Sequence, residues 1–113
     1  MLISALTVAG SDPSGGAGIQ SDLRTFSNCG VYGISVIASL TAQNTQGITG
    51  TMDVPAAFIA QQLDAVFSDL RVDAAKTGML GNAASVEVIA DKFLAYGTKN
   101  IVVDPVMVSS SGT

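Results

Sequence analysis

The segment GSDPSGGAG at residues 10–18 has the composition of a turn that a ligand can approach closely. It lies between an apolar run and a helical pattern, so its glycines would leave backbone N–H groups free at the start of a helix, which suits an anion. No Gly-Lys-Ser/Thr follows it, and it lacks the Gly-x-Gly-x-x-Gly spacing of dinucleotide-binding folds. Glycine content alone is equally well explained by a tight strand-to-helix turn.

Side chains suited to ligand contacts also flank this segment and follow the later apolar runs. They are Asp12, Asp22, Gln43, Asn44, Thr77, Met79 and Asp104. If the apolar runs are parallel strands, most of these residues meet at one edge of a sheet, where open α/β sheets bind ligands. Each also has a structural explanation. Asp12 can form an Asx turn before Pro13, Asp22 can be a solvated helix residue, and Met79 can fill core volume.

The elements that position these residues alternate between strand and helix. Apolar runs predict buried strands, and apolar residues at a 3.6-residue period predict helices between them. The predicted strands are 2–9, 34–42, 73–77 and 100–103. The predicted helices carry their apolar stripes within 19–26, 59–70 and 86–93, with Pro55 in the first turn of the second helix and Asn82 capping the third. Residues 43–52 are interpreted as a loop or a small β excursion.

Composition narrows the class of protein. Of the 113 residues, 48% are hydrophobic and 12% are charged, against roughly 25% charged in an average soluble domain. Four strands and three helices in such an apolar chain predict one α/β domain with a parallel sheet covered on both faces. The net charge of −4 and the scattered basic residues exclude nucleic acid and anionic membrane surfaces as partners.

Other residue counts exclude further kinds of site. The absence of His removes a His general base and a His-ligated metal site. A single cysteine, Cys29, cannot form an internal disulfide, and neither a targeting segment nor a membrane span is recognisable. We therefore expect a cytoplasmic location.

Four strings carry a resemblance to a known family. They are AGSDPSGGAGIQSDL at 9–23, GVYGISVIASLTAQNTQG at 30–47, KTGML at 76–80 and VDPVMVSSSG at 103–112. Together, in this order and at this spacing, they resemble the hydroxymethylpyrimidine and phosphomethylpyrimidine kinases of thiamine biosynthesis. Pyridoxal kinases of the same superfamily resemble these strings less closely.

The resemblance implies a ribokinase-like fold: a mostly parallel central sheet with helices on both faces, of which residues 1–113 would be the N-terminal half of a single kinase domain. It implies phosphorylation of 4-amino-5-hydroxymethyl-2-methylpyrimidine and then of its monophosphate, with ATP and Mg²⁺, in a homo-oligomer. Family members are more than twice as long. Their glycine-rich anion hole and catalytic residue would lie outside this chain, so we expect no catalytic residue here and no activity from the chain alone.

The resemblance also implies roles for particular residues. Gln43 would hydrogen-bond the edge of the aminopyrimidine, and Asp104 would help to hold Mg²⁺ near the phosphates. The substrate pocket would further be lined by Gly10, Ala17, Gly18, Asp22, Met79 and Val106. An aminopyrimidine is flat with one polar edge, and a side-chain amide can donate and accept on that edge at once.

Three alternatives remain open at this point. A pyridoxine or pyridoxal kinase would share the fold and differ in substrate. A non-catalytic pyrimidine-binding module would use the same pocket without turnover. A Rossmann-like dinucleotide-binding domain is the third, and the missing Gly-x-Gly-x-x-Gly spacing counts against it.

Overall fold

A computed structural model describes residues 2–104, and within this range five strands form one sheet flanked by three helices. The elements are β1 Ser4–Ser11, α1 Gly18–Asn28, β2 Tyr32–Asn44, β3 Gly47–Asp53, α2 Ala56–Phe67, β4 Ala74–Thr77, α3 Ala83–Ala95 and β5 Ile101–Val103. The strand order is β3-β2-β1-β4-β5. Strands β1, β2, β4 and β5 are parallel, and β3 pairs antiparallel with β2. The α/β class and the mostly parallel sheet are confirmed.

Helices cover both faces of the sheet because successive strand residues point to opposite sides. On one face, Leu6 and Val8 of β1 pack in a buried cluster with residues of α2 and α3, including Ile59 and Ile89. On the other face, α1 contacts β1 and β2. There Gly33 makes room for α1, since a Cβ at this position would lie 2.7 Å from the Leu23 side chain. This arrangement agrees with the predicted two-sided cover.

The segment 43–52 is a β-hairpin rather than a loop. Strand β2 continues to Asn44, and β3 returns antiparallel from Gly47, so the β excursion is the correct one of the two interpretations. The hairpin adds a fifth, antiparallel strand to the four that the sequence predicts. Every residue of β3 is exposed, so the strand has no buried face and no alternating pattern to reveal it.

A side chain of α2 hydrogen-bonds the backbone of β2 just before the part of β2 that pairs with β3. Strand β3 pairs with β2 only from Ser39 onward. At Ile37 the side chain of Gln62 in α2 takes the place of a neighbouring strand. Its Oε1 accepts from the Ile37 N–H at 3.0 Å, and its Nε2 donates to the Ile37 carbonyl at 2.9 Å. Helix α2 is thereby fixed to the backbone of β2 as well as to its side chains.

The helix boundaries follow from local chemistry. Asn82 caps α3 as predicted, with its Oδ1 accepting from the Ser85 N–H at 2.8 Å. Pro55 immediately precedes α2 and supplies its N-cap backbone, one position before the predicted first turn. Across residues 2–104, the helices are 11 to 13 residues long, and none has the length and apolar character needed to cross a membrane.

Candidate functional site

The carboxyl ends of β1, β2 and β4 and the residue that follows β5 border a cavity of about 290 Å³, hereafter the edge cavity. Seven residues that the sequence singles out line it. They are Gly10, Asp12, Ala17, Gly18, Gln43, Met79 and Asp104. The fold therefore brings together residues that are up to 94 positions apart in the sequence, 10 to 104. Their contacts with a substrate remain predictions. Val106 lies outside the described residues.

The glycine-rich turn forms one wall of the edge cavity by close backbone approach. Gly18, the first residue of α1, has φ +63°, and a Cβ there would collide with the carbonyl oxygen of Gly10. Gly10 is itself close to β2, because a Cβ there would lie 2.7 Å from Oγ of Ser39. A side chain at Gly18 would push α1 away from β1, so glycine is needed there for the shape of this wall, whereas one at Gly10 would displace the Ser39 hydroxyl.

Asp12 organises the same turn from inside. Its Oδ1 accepts from the N–H and the hydroxyl of Ser14, at 2.9 and 2.6 Å, and its Oδ2 accepts from the Ala17 N–H at 2.9 Å. The Ser14 hydroxyl, helped by backbone N–H groups, holds the pKa of Asp12 below its ordinary value despite the opposing effect of burial. The Asx-turn explanation is therefore correct, and the N–H groups of Ser14 and Ala17 donate to Asp12 and are not free for an anion.

Asp22 is not among the residues that border the edge cavity, and its predicted contact with the substrate remains a prediction. Its Oδ2 accepts from the Thr7 hydroxyl at 2.6 Å and from the Lys76 ammonium at 2.9 Å, so the carboxylate points toward the sheet beneath α1. It is not a freely solvated helix residue either. Lys76 does line the cavity, and Asp22 reaches the site through it. Lys76 lies within the KTGML string, but only the fold shows which way its side chain points.

Gln43 lies near the end of β2, where the pairing with β3 shifts register between Ala42 and Gln43. Its Oε1 lies 3.0 Å from the hydroxyl of Thr41, which also lines the cavity. The apolar residues Met79 and Ile48, which are 53% and 40% exposed, also border the cavity. One amide beside solvent-open apolar side chains suits a flat ring with a single polar edge.

Asp104 follows β5 and is the predicted magnesium residue. Its backbone N–H donates to the Thr77 carbonyl at 2.9 Å, which extends the β4–β5 pairing, and the residue lines the edge cavity. Across residues 2–104, no three His, Cys, Asp or Glu side chains cluster closely enough to hold a metal ion by themselves. Mg²⁺ is commonly held by one or two carboxylates together with substrate phosphates, so a single carboxylate from this segment fits the ion.

Comparison with known proteins identifies the family to which this site belongs. The sequence model of the phosphomethylpyrimidine kinase family matches residues 12–113. The chain belongs to this family. The match includes the glycine-rich turn from Asp12 onward, the hairpin and the ends of β2, β4 and β5, so the resemblance seen in the four strings is confirmed.

A phosphomethylpyrimidine kinase and a bifunctional protein of thiamine biosynthesis are among the similar curated proteins. The hydroxymethylpyrimidine/phosphomethylpyrimidine kinase of Escherichia coli is 53% identical over 97% of this chain, which spans 41% of that protein. A thiamine biosynthesis bifunctional protein of Geobacter sulfurreducens is 58% identical over 96% of this chain, which spans 22% of that protein. The chain thus spans less than half the length of these relatives.

Solved structures show the same fold. The phosphomethylpyrimidine kinase of Clostridium difficile superposes with a TM-score of 0.92 at 49% identity, covering 98% of this chain and 48% of that one. The pyridoxal kinase of Staphylococcus aureus, in complex with AMP-PCP and pyridoxal, gives a TM-score of 0.84 at 34% identity, covering 95% of this chain and 40% of that one. The ribokinase-like fold is confirmed, and the chain corresponds to about half of the kinase fold.

Proposed function

We propose that this chain forms the pyrimidine-binding part of a kinase that phosphorylates 4-amino-5-hydroxymethyl-2-methylpyrimidine and then its monophosphate. The observation that carries the proposal is that Gln43 and Met79 border one cavity at the carboxyl edge of the sheet. The names of the relatives from Escherichia coli and Clostridium difficile support the same substrate class. They also support a phosphotransfer reaction.

The dimensions of the edge cavity support a small flat ligand. Its volume of about 290 Å³ lies near the lower limit of the roughly 300–1,000 Å³ found for small-molecule pockets. The Gln43 amide would accept from the 4-amino group and donate to the neighbouring ring nitrogen. Met79 and Ile48 would contact the apolar surface of the ring, and Gly18 would let the backbone approach it closely.

In this proposal the phosphates and Mg²⁺ would lie near the end of β5. Asp104 would supply one carboxylate to Mg²⁺, and a bound Mg²⁺ would neutralise charge on the phosphates during transfer. The complex of Staphylococcus aureus pyridoxal kinase with AMP-PCP supports a nucleotide as phosphate donor in this fold. We assign no catalytic role to any of residues 2–104. In this proposal they bind and orient the pyrimidine.

A pyridoxal kinase is the second candidate. It is favoured by the superposition on a pyridoxal complex at 34% identity. The higher identity to hydroxymethylpyrimidine kinases, 49–58% in the examples above, favours the aminopyrimidine. Pyridoxal lacks the amino group next to a ring nitrogen that the amide of Gln43 would read.

The test measures phosphate transfer by the natural protein that contains this sequence. With ATP and Mg²⁺, we expect it to convert the hydroxymethylpyrimidine to the monophosphate and then to the diphosphate. Turnover of pyridoxal without turnover of the pyrimidine would replace the proposal with the pyridoxal kinase. Tight calorimetric binding of the pyrimidine without any turnover would indicate a non-catalytic binding module.

A further inference from the structure

The hydroxyl of Thr41 lies between two oxygen atoms that can only accept hydrogen bonds. Its Oγ1 is 2.9 Å from the backbone carbonyl oxygen of Ser11 and 3.0 Å from Oε1 of Gln43. A threonine hydroxyl has one proton to donate. It can therefore make a full hydrogen bond to only one of the two oxygens at a time.

The position of this proton is coupled to the orientation of the Gln43 amide. When Thr41 donates to Gln43, the Oε1 end of the amide must lie at Thr41. When Thr41 donates to Ser11 instead, its lone pairs face the amide, and the amide can then bond to them only through its Nε2 end. The two ends of a side-chain amide have nearly the same shape, so hydrogen bonding decides between them.

We propose that Thr41 is a positioning residue that holds the Gln43 amide with Oε1 toward Thr41 and so fixes the order of acceptor and donor along the amide edge. The inference deepens the proposed function, on which it rests. In either orientation the amide offers one acceptor and one donor to a ring. Turning it exchanges their places, and this exchange changes which ring matches.

The order of acceptor and donor on the Gln43 amide can distinguish two pyrimidines of nearly equal shape. A 4-aminopyrimidine presents a donor beside an accepting ring nitrogen. Its 4-oxo counterpart presents an acceptor beside a donating ring N–H. An amide held in one orientation fits only one of these patterns, whereas an amide that turns freely fits both. Thr41 would therefore set the preference for the amino compound by excluding the turned amide.

The pairing of β2 with its neighbouring strands fixes the position of Thr41 relative to Gln43. The side chains of residues 41 and 43 of β2 lie on the same side of the strand, because both line the edge cavity and they are in contact. The backbone of Thr41 is paired with Thr51 of β3, and its hydroxyl reaches the end of β1 at Ser11. Among residues 2–104, Thr41 is the residue whose side chain hydrogen-bonds the side chain of Gln43.

The test compares two substitutions in the natural protein that contains this sequence. Thr41→Val keeps the shape of the side chain and removes the hydroxyl, whereas Thr41→Ser keeps the hydroxyl. Calorimetry gives Kd for 4-amino-5-hydroxymethyl-2-methylpyrimidine and for its 4-oxo counterpart. We expect the amino-to-oxo preference to fall about 3- to 10-fold in Thr41→Val, the value of one hydrogen bond. We expect it to stay within about twofold of wild type in Thr41→Ser.

An unchanged preference in a folded Thr41→Val variant overturns the inference, as does an equal fall in both variants. The wild type separates this failure from failure of the proposed function, because a wild type that binds neither pyrimidine contradicts the proposed function itself. A nuclear Overhauser measurement on the wild type alone tests the inference even if a variant does not fold. Strong nuclear Overhauser contacts between the Gln43 side-chain NH₂ and the Thr41 side chain would show the turned amide and overturn the inference, whereas weak contacts support it.

Discussion

The ammonium of Lys76 in β4 lies 2.9 Å from Oδ2 of Asp22 in α1. The same carboxylate oxygen accepts from the hydroxyl of Thr7, which is the pairing partner of Lys76 across β1 and β4. The charged side chains are only 23% and 19% exposed. Two strands thus hold α1 through one carboxylate, directly beside the edge cavity.

Replacing Lys76 by Met is expected to destabilise the protein, because the shielded Asp22 carboxylate then keeps only the Thr7 hydroxyl as a partner among residues 2–104. The free energy of unfolding should fall by about 1.5–3 kcal/mol, the usual contribution of a hydrogen bond to a charged group. Urea unfolding of the natural protein that contains this sequence gives this value. Lys99→Met, at an exposed position, is the matched control. Equal losses in the two variants would show that the Lys76–Asp22 pair contributes nothing.

The Asp12 turn should make stability depend on pH in a defined direction. The pKa of Asp12 is lowered from 3.8 in the folded protein, so the folded state favours the carboxylate over the acid. Its stabilising contribution is complete above pH 3.8 and is lost as pH falls through the lower folded value.

Asp12→Asn tests this direction. The difference in unfolding free energy between wild type and Asp12→Asn should be constant between about pH 5 and pH 7. It should shrink at pH values below 3.8, where the unfolded wild type takes up a proton. Urea titrations at a series of pH values measure the difference. A difference that widens toward low pH would contradict the hydrogen bonding described for this turn.

A comparison of Gly18→Ala with Gly30→Ala separates the energetic cost of a positive φ from the cost of a steric collision. Both glycines have positive φ, at +63° and +72°. Alanine at Gly30 meets nothing within 4 Å, so we expect only the left-handed backbone penalty of about 1–2 kcal/mol. At Gly18 the new Cβ also collides with the Gly10 carbonyl. A larger loss, together with weaker pyrimidine binding, should appear in unfolding and calorimetry. Equal losses without a binding defect would refute the role given to Gly18.

Gln62→Leu tests the contact between α2 and the edge of β2. Leucine cannot bond to the N–H and carbonyl of Ile37, so one or both remain unsatisfied at a cost of roughly 1–3 kcal/mol each. Gln61→Leu, one residue earlier and exposed, is the control and should change unfolding free energy by less than about 0.5 kcal/mol. Hydrogen exchange at the Ile37 amide should accelerate in Gln62→Leu alone. Unchanged exchange would contradict this role.

The sequence predicts the fold well where burial imposes a period. Helices α1, α2 and α3 and the parallel strands follow from apolar spacing, as in the buried Ile59 and Leu63 stripe. The sequence signal for strand β3 is weaker because none of its residues is buried, so no apolar alternation marks it. Its presence extends β2 past Ala42, where the apolar run ends.

The candidate site was predictable to the extent that strand ends converge. Gln43, Met79 and Asp104 meet at one cavity because parallel strands place them at one edge. Thr41 was not identified, because its position two residues before Gln43 matters only once β2 is known to include both. The placement of the Asp22 carboxylate depends on Lys76, 54 residues further along, and no local pattern encodes that contact.

The most direct measurement of the central claim compares Gln43→Ala with Gln46→Ala in calorimetric binding of 4-amino-5-hydroxymethyl-2-methylpyrimidine. Gln43 lines the edge cavity, whereas Gln46 is exposed in the turn between β2 and β3 and does not line it. Loss of two hydrogen bonds should weaken binding by Gln43→Ala about 5- to 150-fold, with Gln46→Ala close to wild type. Equal affinity in wild type and a folded Gln43→Ala variant would show that the aminopyrimidine is not read at this edge of the sheet.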